Sequence, residues 1–255
     1  MPTPVMHLAL ALEILRRGDL SPAVRRLLNR QRGPFLLGHT APDVQTISGQ
    51  GREETHFYTI PRATAARPAH EALFAACPQL AHAGALPAEQ AAFVAGYIAH
   101  LLLDELWLDD VFLPYFMRPE WGPLRERLFL HNVLRTWLDA GDQRHIEGSA
   151  AEEMGTATPQ GWLPFVTDAH LRAWRDWLVE QLGPAHSVET AQIFARRMGI
   201  PAAEMEAVLN SPRQMEERVF SRVPRGALQS FHQAGYERSV ALIDQYLHNT
   251  EEVNV

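Results

Sequence analysis

The chain has 255 residues, 46% of them hydrophobic and 21% charged, with a formal net charge of −7. That is enough chain for a sizeable core, and the acid excess argues against a basic surface, so no sequence-specific nucleic-acid partner is expected. All 23 basic residues are Arg, which excludes Lys Schiff-base chemistry and a Walker-type phosphate loop; with Cys77 alone, a metal site must be built from His and carboxylate.

The apolar run Val5 to Leu15 has no basic residue before Arg16 and no small-residue cleavage site after it. It reads as an amphipathic helix with Thr3 as N-cap, Pro4 in the first turn and Gly18 just past the end. Ser21-Pro22 opens a second helix to about Arg30, on which Arg25, Arg26 and Arg30 form a solvated face. Residues 33–67, rich in Gly, Pro, Thr and Gln, read as one long irregular loop, a length usually kept for function. Helices are predicted at Pro68 to Ala81, at Pro87 to Leu113 with Pro114 as the stop, and at Trp121 to Leu138.

The polar stretch 141–161 reads as a loop or weak boundary. Beyond it, 168–181 carries Leu171, Trp174, Trp177 and Leu178 on one stripe, read as core. Shorter helices follow near 187–198, 201–209 and 212–220, and a last one spans about 225–247. There are no alternating strand runs and no hairpin signals. The expectation is an all-α, multi-helix single domain over 1–255, with a metal-binding core in 1–140 and additional helices in 141–255. No transmembrane segment is expected, and the default location is cytoplasmic.

The chemistry lies in polar groups at apolar positions. His100 and Asp104, four residues apart in the helix beginning near Pro87, share one helical face and need partners there. His7 faces the apolar side of the first helix, Asp43 ends the run Phe35-Leu-Leu-Gly-His-Thr-Ala-Pro-Asp43, and His56 follows thirteen residues later. Each has a plain reading: a core histidine bonded to a carbonyl, a helix cap, a solvated loop residue, a satisfied His/Asp pair. Together, three His and two Asp make the donor set that a zinc ion without Cys requires.

The order of these pieces resembles the zinc-dependent phospholipase C family, whose fold is shared with single-strand-specific nucleases. The resemblance covers about residues 1 to 115. It rests on a His in the first helix, Ala41-Pro42-Asp43, Thr55-His56 and Gly96-Tyr97-x-x-His100-x-x-x-Asp104. The opening Met-Pro-Thr-Pro-x-x-His-Leu and Phe-Leu-Leu-Gly-x-x-Ala-Pro-Asp look like its cytoplasmic bacterial branch. The resemblance implies that Asp43, His56, His100 and Asp104 surround one zinc. A second zinc would be shared by His7 and a bridging Asp104, with a metal-binding loop near 33–67.

The secreted relatives complete the second ion with the amino group of a processed N-terminal Trp, which this Met-Pro start lacks, and build a third ion from later ligands. Here position 110 is Asp, and His131 is followed by Arg135 where a carboxylate belongs. Asp110 and His131 stand as further ligand candidates, with Asp109, Asp139 and His145 nearby in sequence, and a full three-zinc site is not expected.

What this implies is zinc-dependent hydrolysis of a phosphate ester, with one or two ions of zinc or another divalent metal. The partner would be a small-molecule or phosphoester substrate. Asp43 is the candidate catalytic residue, orienting or deprotonating water; Arg52 is the candidate phosphate ligand, and Glu53 and Glu54 are possible helpers. The alternative is a non-catalytic all-α protein in which one structural ion pins the long loop. A di-iron carboxylate bundle has a single Glu-x-x-His at Glu53–His56 and lacks its second motif.

Overall fold

A computed structural model describes residues 1–61, 66–146, 148–182 and 190–248, and among them every regular element is helical. Helix α1, Pro4–Arg17, begins where the Thr3 hydroxyl accepts the Met6 N–H at 3.3 Å and ends at Gly18, whose φ of 70° is the left-handed turn that favours glycine. Helix α2, Pro22–Arg30, follows, with Arg25, Arg26 and Arg30 exposed.

The stretch 33–67 departs from the expected loop. It holds α3 (Arg32–Gly38), a 3₁₀ turn (Ala41–Val44), α4 (Gln45–Ser48) and α5 (Arg52–His56). Pieces of four to seven residues are too short to show periodicity or to stand alone, so tertiary contacts must hold them. Phe35, Leu36 and Leu37 supply those contacts and are fully buried.

After α6 (Ala69–Ala76) comes α7 (Ala88–Trp107), buried at every residue from Ala91 to Trp107. Helix α3 crosses α7 in backbone contact. A Cβ on Gly38 would stand 2.1 Å from the Phe93 carbonyl oxygen, and one on Gly96 would stand 2.4 Å from that of Phe35. Only glycines permit this crossing, and it sets the chain after α3 beside His100, one turn beyond Gly96.

Pro114 does not stop the helix. A π-helical turn, Leu108–Phe112, joins α7 to α8 (Leu113–Phe116), and Pro114 falls in α8 directly after that wider turn. The rod Ala88–Phe116 is the one helix among the described residues long and apolar enough to cross a membrane. Its most apolar window has a mean hydropathy of 1.4 and is wholly buried inside the fold.

The remaining helices are α9 (Leu124–Asp142), α10 (Ala150–Gly155), α11 (Asp168–Leu182), α12 (Thr190–Met198), α13 (Ala202–Leu209), α14 (Pro212–Gln214) and α15 (Arg225–His248), with a π-turn (Met215–Phe220) before the last. The start of the helix expected near 187 lies outside the described residues. In the polar stretch 141–161, α10 buries Ala150 and Met154 and packs on both α3 and α11. Trp177 leaves the expected core stripe: it is 37% exposed and stacks on buried Trp174, ring centroids 5.0 Å apart. A single apolar cluster runs from Met6 through Phe93 and Trp174 to Leu247.

Candidate metal centre

Three elements converge on the face of α7 that carries His100 and Asp104. Helix α1 brings His7, the 3₁₀ turn brings Asp43, and α5 brings its last residue, His56. Phe57, at a left-handed φ of 61°, turns the chain away directly after His56. His7, His56, His100 and Asp104 are all buried, and Asp43, 17% exposed, faces outward from the group. His7 and His100 stack face to face with ring centroids 3.6 Å apart. Two triads can hold an ion: His7 with His100 and Asp104, and Asp43 with His56 and His100.

Two rings have fixed tautomers. His100 Nδ1 meets the His39 carbonyl at 2.8 Å, so Nδ1 carries the proton and the Nε2 lone pair points into the cluster. His56 Nδ1 faces the Arg52 carbonyl at 3.2 Å with the same result. The spacings between donors are 3.4 Å from His7 Nε2 to Asp104 Oδ1, 3.5 Å from His56 Nε2 to Asp104 Oδ2, 3.6 Å from His56 Nε2 to Asp43 Oδ1 and 3.8 Å from His100 Nε2 to Asp104 Oδ2. These are long for hydrogen bonds, which cluster near about 2.9 Å. Two ligands each about 2.05 Å from a tetrahedral ion lie roughly 3.3 Å apart, close to what is seen. Both nitrogens of His7, His100 Nε2 and Asp104 Oδ1 are buried with no hydrogen-bond partner. Buried polar atoms without partners are costly, and an ion would satisfy them. The donor set fits a divalent metal.

Electrostatics agree with ligand chemistry. Burial, then the neighbouring His7, pushes His100 down to about 3, so it is a neutral imidazole. Burial would raise Asp104, but Arg52 first, then the His7 contact and His100, hold it well below the usual carboxylate range. Asp43, raised by burial, is brought down to about 2 by its His56 contact and by His100.

Arg52 is placed differently from the expected phosphate ligand. Its Nη1 donates to His56 Nε2 at 2.7 Å, and its Nη2 donates to Tyr58 Oη at 2.7 Å and to Asp104 Oδ2. Burial opposes its charge, but Asp104, Tyr58 and Asp43 hold its pKa above the ordinary value. The guanidinium is thus a cation already inside the cluster, touching both triads: His56 in one and Asp104 in the other.

The other candidates lie elsewhere. Neither Asp110 nor His131 belongs to either triad. Asp110 is exposed, and His131 accepts the Trp107 Nε1 hydrogen at 2.9 Å among Phe112 and Phe116. Asp109 is exposed, Asp139 accepts from Thr3 and Thr190, and exposed His145 bonds the Gly141 carbonyl. Glu53 is exposed; Glu54 accepts the Gly51 N–H at the start of α5.

Sequence reasoning passed over His39. Its carbonyl orients His100, while its own ring is fully buried beside His7 and His100 with neither nitrogen partnered. A His between Gly38 and Thr40 in an apolar run was the available signal.

Outside Asp43 and Arg52 lies a cleft of about 510 Å³, walled also by Arg135, Asp139, Trp174 and Trp177. Its far wall is fixed to the site, because Trp174 Nε1 donates to the Thr40 carbonyl at 2.9 Å, three residues before Asp43. Comparison with family models, with curated proteins and with solved structures returns no match to this chain.

Proposed function

We propose that this chain is a metal-dependent hydrolase of phosphate esters, of the zinc-dependent phospholipase C type. The observation that carries the reading is the His7–His100–Asp104–His56–Asp43 cluster, with donors 3.4–3.8 Å apart and several unpartnered, beside a cleft lined by Arg52, Arg135 and Arg197 as well as by Asp139. His7, His100 and Asp104 would hold one zinc or similar ion, and Asp43 and His56 would complete it or hold a second beside it. Such an ion supplies Lewis acidity toward a phosphoryl oxygen and lowers the pKa of water toward about 7.

The chain's own groups supply the rest. Asp43, at the junction of cluster and cleft, accepts a hydrogen bond from water and aims it at the phosphorus. Arg52 and Arg135 neutralise the ester's phosphoryl oxygens, and Arg52 is suited to a two-pronged grip once released from His56. Trp174 and Trp177 exclude water and bind the apolar part of the ester.

A second reading, one structural ion or none, is favoured by the Arg52 guanidinium bonded to His56 and Asp104, which already offsets part of the buried negative charge. Elemental analysis of protein purified without added metal, followed by assays on bis(p-nitrophenyl) phosphate and p-nitrophenyl phosphate, separates the two. The hydrolase is expected to carry at least one ion, lost in Asp104→Asn, and to show turnover that chelation removes and zinc restores. One ion indifferent to His7→Ala, without turnover, supports the scaffold. A folded protein that takes up no metal refutes both metal-bound readings.

A further inference from the structure

A second cavity, of about 540 Å³, opens beside the cleft and shares Met1, Ile60, Arg135, Phe194 and Arg197 with it. Its own residues include Arg125, Leu128 and His131. Three guanidinium groups line it and no Asp or Glu does, in a chain whose net charge is −7. Among the described residues Arg125 and Arg197 are exposed and reach no carboxylate, as is also true of Arg25, Arg26 and Arg30, so it is their place on one cavity wall that sets them apart.

Arg135 is held rigidly at the junction. Its Nη1 donates to the Met1 carbonyl at 2.9 Å, its Nη2 donates to Asn132 Oδ1, its plane lies over the Phe194 ring, and its buried Nε has no partner. His131, on the cavity wall, is kept neutral by burial and by Arg135, so the positive charge there belongs to the guanidinium groups. Most of the remaining wall is apolar, with Phe112, Leu124, Leu128 and Met198. Like charges gathered without acids repel, and an anion among them removes that repulsion while making charge-assisted hydrogen bonds.

We propose that this cavity binds an amphipathic anion, a phosphate or carboxylate head carrying an apolar chain. The head sits at Arg135 and Arg197, and the chain lies along Leu128, Phe112 and Leu124 toward Arg125, at the other end of the same helix face. Binding there needs no metal. Only the further step, that the ligand is the ester or its product entering the shared wall, rests on the hydrolase reading.

The test is titration calorimetry on the full chain in chelator, with decyl phosphate, decanoate and decanol, each below its micelle concentration. Both anions are expected to bind at least about tenfold more tightly than decanol, which shares the chain and lacks the charge. The better of the two heads assigns phosphate or carboxylate. Arg125→Ala/Arg197→Ala, at exposed positions, is expected to weaken the anions about tenfold or more and leave decanol unchanged. Arg26→Ala, an exposed guanidinium on α2 that lines neither cavity, is expected to bind like the wild type. Equal binding of decanol, indifference to the double Arg change, or loss on Arg26→Ala would overturn the proposal. Failure of the hydrolase reading would show instead in metal content and turnover, which this titration does not measure.

Discussion

Gly96→Ala tests whether the α3–α7 crossing builds the site. Helix propensity alone favours Ala over Gly by about 1 kcal/mol in a helix interior, so an idle glycine in α7 would be improved by the change. The added Cβ would stand 2.4 Å from the Phe35 oxygen, 2.8 Å from the His39 nitrogen and 3.1 Å from the Gly38 carbonyl carbon, all of them backbone. No side chain can rotate away to make room. Carbon and oxygen meet at about 3.3 Å or more, so α3 must retreat by about 1 Å.

Overpacking of this kind costs about 1–3 kcal/mol. At about 2–4 °C per kcal/mol for a chain of this size, a net loss near 2 kcal/mol lowers the melting temperature by about 4–8 °C. The same retreat draws the His39 carbonyl away from His100 Nδ1, now 2.8 Å apart, and frees the imidazole to turn. Losing such an orienting bond weakens metal binding about 10–100-fold. Thermal melting followed by circular dichroism, with zinc competition against a chromophoric chelator, reads both effects. Gly141→Ala is the control, since its Cβ would meet only Arg144 Nη2 at 3.8 Å, and it should melt at or slightly above the wild type. A Gly96→Ala protein that melts no lower than wild type and binds zinc equally would refute the argument.

Asp104→Asn should cost about 3 kcal/mol of stability, because Arg52 and the imidazoles lose a buried counter-charge, and should weaken zinc by more than the loss of an orienting hydrogen bond does; His145→Ala, at an exposed ring, should do neither in the same melts. Burial raises the Asp139 pKa from 3.8 to about 6, against the hydroxyls of Thr3 and Thr190 and the charge of Arg135. A raised folded-state pKa means that this stability is full below pH 3.8 and is lost as pH rises through about 6. Asp139→Asn should therefore gain on the wild type by up to about 3 kcal/mol between pH 4 and pH 7, and a pH-independent difference in urea midpoints would rule this out. Thr3→Ala removes both the cap of α1 and a donor to Asp139, so it should cost about 1–3 kcal/mol and be non-additive with Asp139→Asn in a double-mutant cycle.

Local chemistry was legible and tertiary chemistry was not. Thr3, Pro4 and Gly18 bound α1 because capping is written in neighbouring residues. Residues 33–67 read as irregular because α3 exists through contacts with α7, some sixty residues away, and α5 is tied to α7 by the Tyr97 hydroxyl on the Thr55 carbonyl, and no short window holds that information. Pro114 was read as a stop by its ring alone, although the preceding π-turn accommodates it. Trp177 shares the apolar spacing of Leu171, Trp174 and Leu178, and only the course of the chain around Asp43 shows that it lines a cleft. Of the seven ligand candidates, the five drawn from ordered motifs, His7, Asp43, His56, His100 and Asp104, come together. Asp110 and His131, carried only by distance along one helix or the next, do not. Arg52 was singled out for its charge, but its first partners are Asp104 and His56, because a buried carboxylate attracts a cation before any ligand arrives.

That internal cation bears on the order of events. The Arg52 guanidinium faces the buried Asp104 carboxylate, so part of the negative charge is offset with no ion present, in contrast to a finger domain that folds only around its zinc. On the metal-dependent reading, a divalent ion arriving at His56 would have to evict the guanidinium, so loading would be slower and weaker than for the same donors without it. The eviction would leave the carboxylates to the ion and send a positive charge into the cleft. A phosphate would then find its clamp assembled only after the metal is in place, so the same side chain that guards the empty site would act as a signal that it is full.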